Sequence, residues 1–453
     1  MRYNPHLFGE TKNPTRGEEM IQQTILPIKL ERMEAKHTGR SGLFLYAEFM
    51  KGFGVDKWIT QHMPAPRSGR GYAPLPYITT ISMTMYGGGT TIEDTKEIRE
   101  DEPLKEAIGL KRVPSSSAEG DWLRRTAKRS GIEGMEKVNT RIAQKIINKD
   151  KRTQYTLIVD PTIIEAEKKD CKTTYLGITG YRPVIAVIKE LDIVIACQFK
   201  EGNDNGGRLE IIKKSFEAMP EGKKIDKVLL DSEYYTNEVM EYLSEKGVKW
   251  AIAADKDSAI KKSIEGIKES EWTAYKTREG ASTDREIGAF VHTTNKGKEA
   301  FTVITIRWKD RQQNLFGDSY NYHCIATNDT EGAEEDKQQI IWQYNERAYI
   351  ENNIKEIKGG FGMEQMPTGD FGGNALYFSI GIMTYNLFIA QKYWTMPEAW
   401  VNKTIKSIRW LLVEVVGRII KRSRRVFFKI AATVEKYLIY ERMRQRTYAL
   451  ATE

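Results

Sequence analysis

The stretch YTLIVDPTII, residues 155–164, decides the fold, because its β-branched and apolar residues predict a buried strand that ends in an acid. A second stretch, KVLLDSEYY at residues 227–235, has the same form. Asp160 closes the run LIVD, and Asp231 closes the run VLLD. If the two strands lie side by side, both carboxylates leave the sheet at the same end, where the sites of α/β folds usually lie.

The neighbouring segments predict the rest of this core. GYRPVIAVIKE (180–190) and LDIVIACQFK (191–200) indicate two more strands joined by a tight turn at 190–192. Helical spacing follows at 208–219, a capped helix at 236–247 and a strand at 248–255. The order βββαβαβ predicts an α/β fold with a ribonuclease-H-like catalytic core.

The pattern of apolar, β-branched and charged residues predicts four regions. Residues 1–150 have mostly helical spacing, and Ser116-x-x-Glu119 indicates a capping box within them. The core is assigned to residues 151–256 and 331–395. Between its two parts, residues 257–330 carry short aromatic and β-branched runs that predict an antiparallel β insertion. Residues 396–453 form a basic C-terminal region.

The acids at the two strand ends suggest a metal site. A hard cation such as Mg²⁺ prefers oxygen ligands, so a few convergent carboxylates suffice to hold it. Two such ions can activate an attacking water and stabilise the leaving oxygen of a phosphodiester. A single acid at a strand end is common, however, so this interpretation needs a third acid.

The helix predicted at residues 338–358, QQIIWQYNERAYIENNIKEIK, supplies that acid. Tyr344, Arg347, Glu351 and Lys358 would fall within roughly 60° of one face of a continuous α-helix. A solvated helix would explain an Arg347–Glu351 pair on its own, but not all four residues.

These four residues match the Y-x2-R-x3-E-x6-K signature of cut-and-paste transposases of prokaryotic insertion sequences. The segment YNERAYIENNIKEIKGGFGMEQMP (344–367) resembles the third-acid region of the transposase DDE domain group 1 family. The resemblance extends more weakly over residues 42–425, through VDPT, GYRP, Gly202-Asn203, LLDSEYY and DFGGNALYFSIGIMTYNLF.

The resemblance implies a metal-dependent DNA transposase with Asp160, Asp231 and Glu351 as catalytic metal ligands. It implies Mg²⁺ as the cofactor, with Mn²⁺ able to substitute. Tyr344, Arg347 and Lys358 would grip phosphates near the transposon end. The expected partners are double-stranded DNA, as terminal inverted repeats and as target, and a second copy of the chain in a homodimeric synaptic complex.

Other residues are candidate DNA contacts. The C-terminal region carries 13 Lys and Arg against 5 Asp and Glu, which equals the whole net charge of +8. Such a block suits a polyanion, although a solvated basic helix is the alternative. Its densest cluster comprises Arg418, Lys421, Arg422, Arg424 and Arg425. Trp308 is a candidate for stacking on a flipped base, with core packing as the alternative, and recognition of the repeats is assigned to the helical region 1–150.

Several classes of protein are disfavoured. The opening residues lack the apolar segment of a signal peptide, and the apolar stretch 371–390 is interrupted by polar residues, so we expect a cytoplasmic, nucleoid-associated protein without membrane spans. The three cysteines and five histidines show no zinc spacing. Glu233, two residues after Asp231, is interpreted as a solvent-facing charge, with an auxiliary acid of the site as the alternative. Two alternatives remain: a site-specific nuclease of the same fold, and a non-catalytic DNA-binding protein or repressor derived from a transposase.

Overall fold

Residues 42–149 are mostly helical. The structure, a computed structural model, describes residues 36–66, 71–294, 297, 299–309, 320–423 and 425–452. Its first seven helices are α1 (Gly42–Phe53), α2 (Val55–His62), α3 (Pro74–Gly87), α4 (Thr95–Glu100), α5 (Glu102–Ile108), α6 (Ser116–Ala127) and α7 (Gly131–Lys149). Helix α3 ends at a glycine turn, because Gly88 has a φ of 98°, which side chains disfavour.

The start of α6 differs from the prediction by one residue. Ser115 is the N-cap, and its side chain accepts a hydrogen bond from the Ala118 N–H. The predicted capping box of Ser116 and Glu119 is therefore wrong. The Glu119 side chain is instead buried in the helical region.

A mixed α/β core follows, with the elements in the predicted order. They are β1 (Gln154–Pro161), β2 (Ile164–Glu165), β3 (Lys172–Thr173), β4 (Thr179–Tyr181), β5 (Val184–Ile188), β6 (Ile193–Gln198), α8 (Arg208–Glu217), β7 (Lys224–Leu230), α9 (Asn237–Glu245) and β8 (Lys249–Ala253). The tight turn between β5 and β6 ends at Asp192, which has a φ of 58°. Strands β2, β4 and β3 form a separate small sheet.

The β-rich insertion extends the main sheet. It comprises α10 (Ser258–Glu265), β9 (Thr273–Lys276), β10 (Ser282–His292), β11 (Phe301–Lys309) and β12 (Tyr320–Thr327). These four strands pair antiparallel, as expected, and β12 then pairs with β8. The result is one nine-stranded sheet in the order β6-β5-β1-β7-β8-β12-β11-β10-β9. Residues His37–Glu453 form one compact unit, and the four-region division stays a prediction.

Helices return after the sheet. They are α11 (Thr330–Glu335), α12 (Lys337–Asn345), α13 (Tyr349–Lys355), α14 (Phe371–Trp394) and α15 (Ile405–Ile408). Helix α14 is capped by Asp370, whose side chain accepts a hydrogen bond from the Gly373 N–H. Its residues 373–392 are buried against α3, α6, α7 and β6. In the described part of the chain, no helix is long and apolar enough to cross a membrane.

On each outer strand of the nine-stranded sheet, side chains from a helix hydrogen-bond to the backbone of one residue. At β6, the Asn386 amide accepts from the Val194 N–H at 2.9 Å and donates to the Val194 carbonyl at 2.7 Å. At β9, Gln338 accepts from the Lys276 N–H, and the Trp342 indole donates to the Lys276 carbonyl. Helices α14 and α12 therefore satisfy backbone groups that an outer strand would otherwise leave open.

The basic C-terminal region forms a hairpin, followed by a helix. Strands β13 (Gly417–Arg422) and β14 (Arg425–Ile430) pair antiparallel, and α16 is Val434–Thr452. The described residues of the densest basic cluster are thus on strands, whereas the alternative of a solvated basic helix describes α16, which is mostly exposed and carries further basic residues of the region. Short amphipathic runs carry little information on whether they form strands or helices, and here the partner strand decides.

Candidate active site

The two predicted aspartates lie side by side at one edge of the main sheet. Strands β1 and β7 are parallel neighbours, and Val159 is in register with Leu230. The next residues along the two strands are Asp160 and Asp231, so both carboxyl groups emerge at the carboxyl ends of the strands. Buried apolar residues hold each strand in place up to this point. The sequence prediction for this pair is consistent with the geometry.

Arg347 provides the cation of the site. Its Nη1 donates a hydrogen bond to Asp160 Oδ1 at 3.1 Å. Both side chains are largely buried, with 23% of the Arg347 side chain and 17% of the Asp160 side chain exposed. A charge-assisted hydrogen bond of this kind is stronger than a neutral one, particularly away from bulk water.

The helix that carries Arg347 is not continuous. A 3₁₀ turn at Glu346–Ala348 separates α12 from α13, and a π-helical turn at Glu356–Gly360 follows α13. The prediction of one regular stripe over residues 344–358 is therefore wrong in its angles, because 3₁₀ and π turns rotate the later residues around the axis. Tertiary contacts, not helical period alone, bring the signature residues to the site.

The remaining signature residues reach the site in different ways. Tyr344 is buried, and its ring lies 6.0 Å from the Arg347 guanidinium. Lys358 donates from Nζ to the carbonyl oxygen of Ile163, three residues after Asp160, at 2.7 Å. Glu351 is exposed, yet its negative charge is felt by Asp160. Glu351 thus lies at the open side of the site.

The electrostatics of the aspartates follow from burial. Burial raises the pKa of Asp160 to about 7; Arg347 opposes this shift, and the charges of Asp231 and Glu351 add to it. Burial also raises the pKa of Asp231, followed by the charge of Glu233, while Arg347 lowers it. Repulsion between close carboxylates and loss of water both disfavour the charged forms. A cation at this edge would relieve both penalties.

The donor set fits a hard divalent cation. Asp160 and Asp231 offer carboxylate oxygens at one sheet edge, and Glu351 could close the site from its open side. With the side chains as they stand, no three His, Cys, Asp or Glu residues within the described ranges are close enough to form a metal-binding group. The two aspartates are therefore the residues that the fold itself brings together.

A second ion pair lies beside the aspartates, and sequence reasoning missed it. Glu233 binds the guanidinium of Arg182, of which only 3% is exposed, and lies 3.6 Å from the Arg208 Nε. The interpretation of Glu233 as a solvent-facing charge is wrong. Its position two residues after Asp231 and the arginine in the GYRP turn were the available signals, but they lie 51 residues apart.

The β insertion contributes an aromatic and basic surface next to Tyr344. The His323 ring on β12 lies 6.0 Å from the Tyr344 ring. Burial lowers the pKa of His323, and the positive charges of Lys256 and Arg347 add to this shift. On β11, Trp308 is half-buried and lies 5.2 Å from the Arg285 guanidinium. The register pairs His323 with Ile306, two residues before Trp308, so Trp308 and His323 share a face of the sheet.

The C-terminal cluster is not joined to the aspartates by any described contact. Arg418, Lys421, Arg422 and Arg425 are exposed on the β13–β14 hairpin. Lys421 forms an ion pair with Glu106 of α5, and the Arg422 guanidinium lies 4.7 Å from the Phe427 ring. Arg424 lies outside the described residues. The hairpin is thus a separate exposed basic surface.

Comparisons with known proteins give a family match and a distant likeness to solved structures. The sequence model of the family described as transposase DDE domain group 1 matches residues 26–451. A cryo-EM structure of the piggyBac transposase synaptic complex with hairpin DNA is similar at a TM-score of 0.43 and 10% identity, over 91% of this chain and 81% of that chain. No curated protein sequence matches.

Proposed function

The chain belongs to the transposase DDE domain group 1 family, and from this premise we propose that it cleaves DNA at transposon ends and transfers the freed strands into target DNA. The observation that carries the proposal is the pair of aspartates at the ends of the parallel strands β1 and β7, with Arg347 bound to Asp160. Membership of the family names the class of reaction. The residues at this edge support the assignment of the reaction to this part of the chain.

As part of this proposal, the core is ribonuclease-H-like. The strand order β6-β5-β1-β7-β8, with β5 and β6 antiparallel and β7 and β8 parallel, supports it. In this arrangement, Asp160 and Asp231 hold divalent metal, and Glu351 completes the set. When bound, Mg²⁺, or Mn²⁺ in its place, activates the attacking oxygen and stabilises the leaving oxygen of the phosphodiester.

The other side chains bind and orient the DNA. Arg347 is held beside the aspartates and can neutralise the charge of a phosphate that enters the edge. Lys358 binds the Ile163 carbonyl and can exchange that neutral acceptor for a phosphate oxygen. The buried Tyr344 packs near Arg347 and limits where its guanidinium can point.

Excision and insertion follow the same chemistry. Water attacks the phosphodiester at each transposon end and frees a 3′-hydroxyl, which then attacks the second strand or a target duplex. Two ends must be held together for this, so the proposal includes a homodimer on DNA. Trp308 is proposed to stack on a flipped base. The exposed cations of the C-terminal hairpin are proposed to contact the DNA backbone, where such contacts fix position more than sequence.

The test uses purified protein, Mg²⁺ and a plasmid carrying the inverted repeats that flank its gene. We expect cleavage at the repeats and joining of pre-cleaved ends to a target plasmid. Asp231→Asn should abolish both reactions, whereas Asp226→Asn, an exposed acid on the same strand, should abolish neither. Cleavage without joining would identify a nuclease instead. Specific binding without either reaction would identify a repressor.

A further inference from the structure

A cavity in the helical region combines aromatic walls with a basic rim. It has a volume of about 400 Å³ and lies between α3, α6 and the segment around Tyr72. This volume falls in the range of small-molecule sites, about 300–1,000 Å³. It is distinct from the sheet edge that carries Asp160 and Asp231, and the proposed chemistry does not use it.

The walls of the cavity are flat and apolar. The Tyr77 and Trp122 rings stack with their centroids 4.8 Å apart and their planes 5° apart. Tyr72 meets Tyr77 edge-on at 6.0 Å, and 37% of Tyr72 is exposed. Three prolines complete the walls: Pro64, Pro66 and Pro74. Flat rings and prolines suit a flat ligand, because aromatic faces stack on other π systems.

The rim of the cavity carries positive charge from α6 and the residues after it. Arg125, Lys128 and Arg129 all line the cavity. Lys128 is 3.9 Å from Asp370, but 73% of its side chain is exposed. Within the described part of the chain, the ion pairs include neither Arg125 nor Arg129. The rim therefore has a surplus of cations for an anionic ligand.

Helix α6 packs against α14, which in turn contacts the segment that precedes Arg182. The α14 N-terminus lies against α6, with Arg124 close to Gly373. From the same end of α14, the Asn374 amide donates to the Tyr181 hydroxyl. Tyr181 precedes Arg182, which binds Glu233 beside Asp231. The cavity and the sheet edge are thus connected through α14 and the segment that carries Tyr181 and Arg182.

We propose that this cavity binds an unpaired nucleotide of the DNA substrate. The base enters between the aromatic and proline walls, and its flanking phosphates contact Arg125 and Arg129. Aromatic platforms beside cations are the usual means of holding single-stranded nucleic acid without reading its sequence. The inference rests on the proposed function, since it assumes a DNA substrate, and it deepens that function by naming where an unpaired segment is held.

The first experiment compares two probes by fluorescence anisotropy: a blunt duplex and the same duplex with a single-stranded overhang of six thymidines. Arg125→Ala combined with Arg129→Ala should weaken overhang binding at least tenfold and blunt binding less than threefold. The salt dependence of overhang binding should fall by roughly 0.7 in slope for each phosphate that the variant no longer neutralises. Lys213→Ala with Lys246→Ala removes the same charge from exposed positions on α8 and after α9, and should change neither probe.

The second experiment tests the base rather than the phosphates. Tyr72→Ala removes a partly exposed ring, so the fold should survive, and the overhang probe should bind about 5- to 100-fold more weakly, as loss of one stacked base predicts. A 2-aminopurine placed in the overhang should change its fluorescence with the wild-type protein and not with Tyr72→Ala.

The outcomes separate this inference from the proposed function. Equal weakening of blunt and overhang binding would reduce the cavity rim to a duplex-backbone contact and overturn the inference. Unchanged overhang binding in both variants would also overturn it, while cleavage by those variants would leave the transposase proposal intact. Asp231→Asn should bind the overhang normally and cleave nothing, so loss of catalysis can be distinguished from loss of overhang binding.

Discussion

The sheet edge and the helical region both bury carboxyl groups, yet they treat them differently. At the sheet edge, burial raises the pKa of Asp160 to about 7 while Arg347 donates a hydrogen bond to it. In α6, burial raises the pKa of Glu119 to about 9, with smaller opposing effects of Thr95 and Arg99. Among the described ion pairs, none involves Glu119, whose exposure is 0%.

The difference shows what distinguishes a buried acid in a site from a buried acid in a core. Glu119 avoids the cost of a buried charge by staying protonated at neutral pH. Asp160 retains an opening to solvent and a cation next to it, so a second cation can replace or join Arg347. Burial alone therefore does not indicate a metal-binding acid, whereas burial with a neighbouring cation and a second acid supports the proposed role of Asp160.

The largest effect expected at the sheet edge is on catalysis. Asp231→Asn keeps the shape of the side chain but removes its charge, so strand cleavage should fall at least a thousandfold. Loss of about 4 kcal/mol of transition-state stabilisation is enough for this. The rate of cleavage of a labelled transposon end measures it, with Asp226→Asn as the control. A residual rate above a tenth of wild type would place Asp231 with Glu119, among acids that serve packing.

The Glu233–Arg182 ion pair beside the aspartates tests how burial affects the free energy of unfolding. Glu233→Ala would leave the buried Arg182 guanidinium without its carboxylate, so the free energy of unfolding should fall by about 3–5 kcal/mol. Urea unfolding measures the change. Glu100→Ala breaks the exposed Lys96–Glu100 pair, with 62% of each side chain exposed, and should cost less than about 1 kcal/mol. Equal effects of the two variants would contradict the role of burial.

Glu119, the buried acid of the helical region, provides a test through the pH dependence of stability. Its folded pKa of about 9 lies above the ordinary value of 4.5, so its contribution to stability is complete below pH 4.5 and is lost as pH rises to about 9. Glu119→Gln removes this titration. The free energy of unfolding of the variant should rise relative to that of wild type by about 1.4 kcal/mol per pH unit above pH 4.5, or up to about 3 kcal/mol at pH 7. Unfolding curves from pH 5 to pH 8 check it, and a constant difference would mean that Glu119 is ionised in the fold.

The smallest expected effect concerns Lys358, which binds a neutral carbonyl at the sheet edge. If it turns to a phosphate in the complex, Lys358→Met should lower the slope of log affinity against log salt by about 0.9 for duplex DNA. Lys213→Ala serves as the control because its side chain is exposed on α8. An unchanged slope would keep Lys358 as a structural partner of Ile163.

The sequence predicted most of the core because its signals are local. Asp160 and Asp231 end apolar runs. The order of strands and helices along the chain follows from which segments are short and β-branched. The interrupted helix from Tyr344 to Lys358 could not be predicted, because the contacts of Arg347 and Lys358 lie 187 and 195 residues away in the chain. The Glu233–Arg182 pair was missed for the same reason. Ser115 was overlooked because three serines in a row offer equivalent N-caps.

The side chains at the two borders of the sheet affect how copies of the protein meet. The Asn386 side chain is hydrogen-bonded to the N–H and carbonyl of Val194 on β6. Gln338 and Trp342 make the same two bonds to Lys276 on β9. A strand from another molecule that approached either border would find these hydrogen bonds already made. At Val194 and Lys276 the outer strands therefore offer no free backbone groups to an incoming strand, which disfavours edge-to-edge aggregation through these positions.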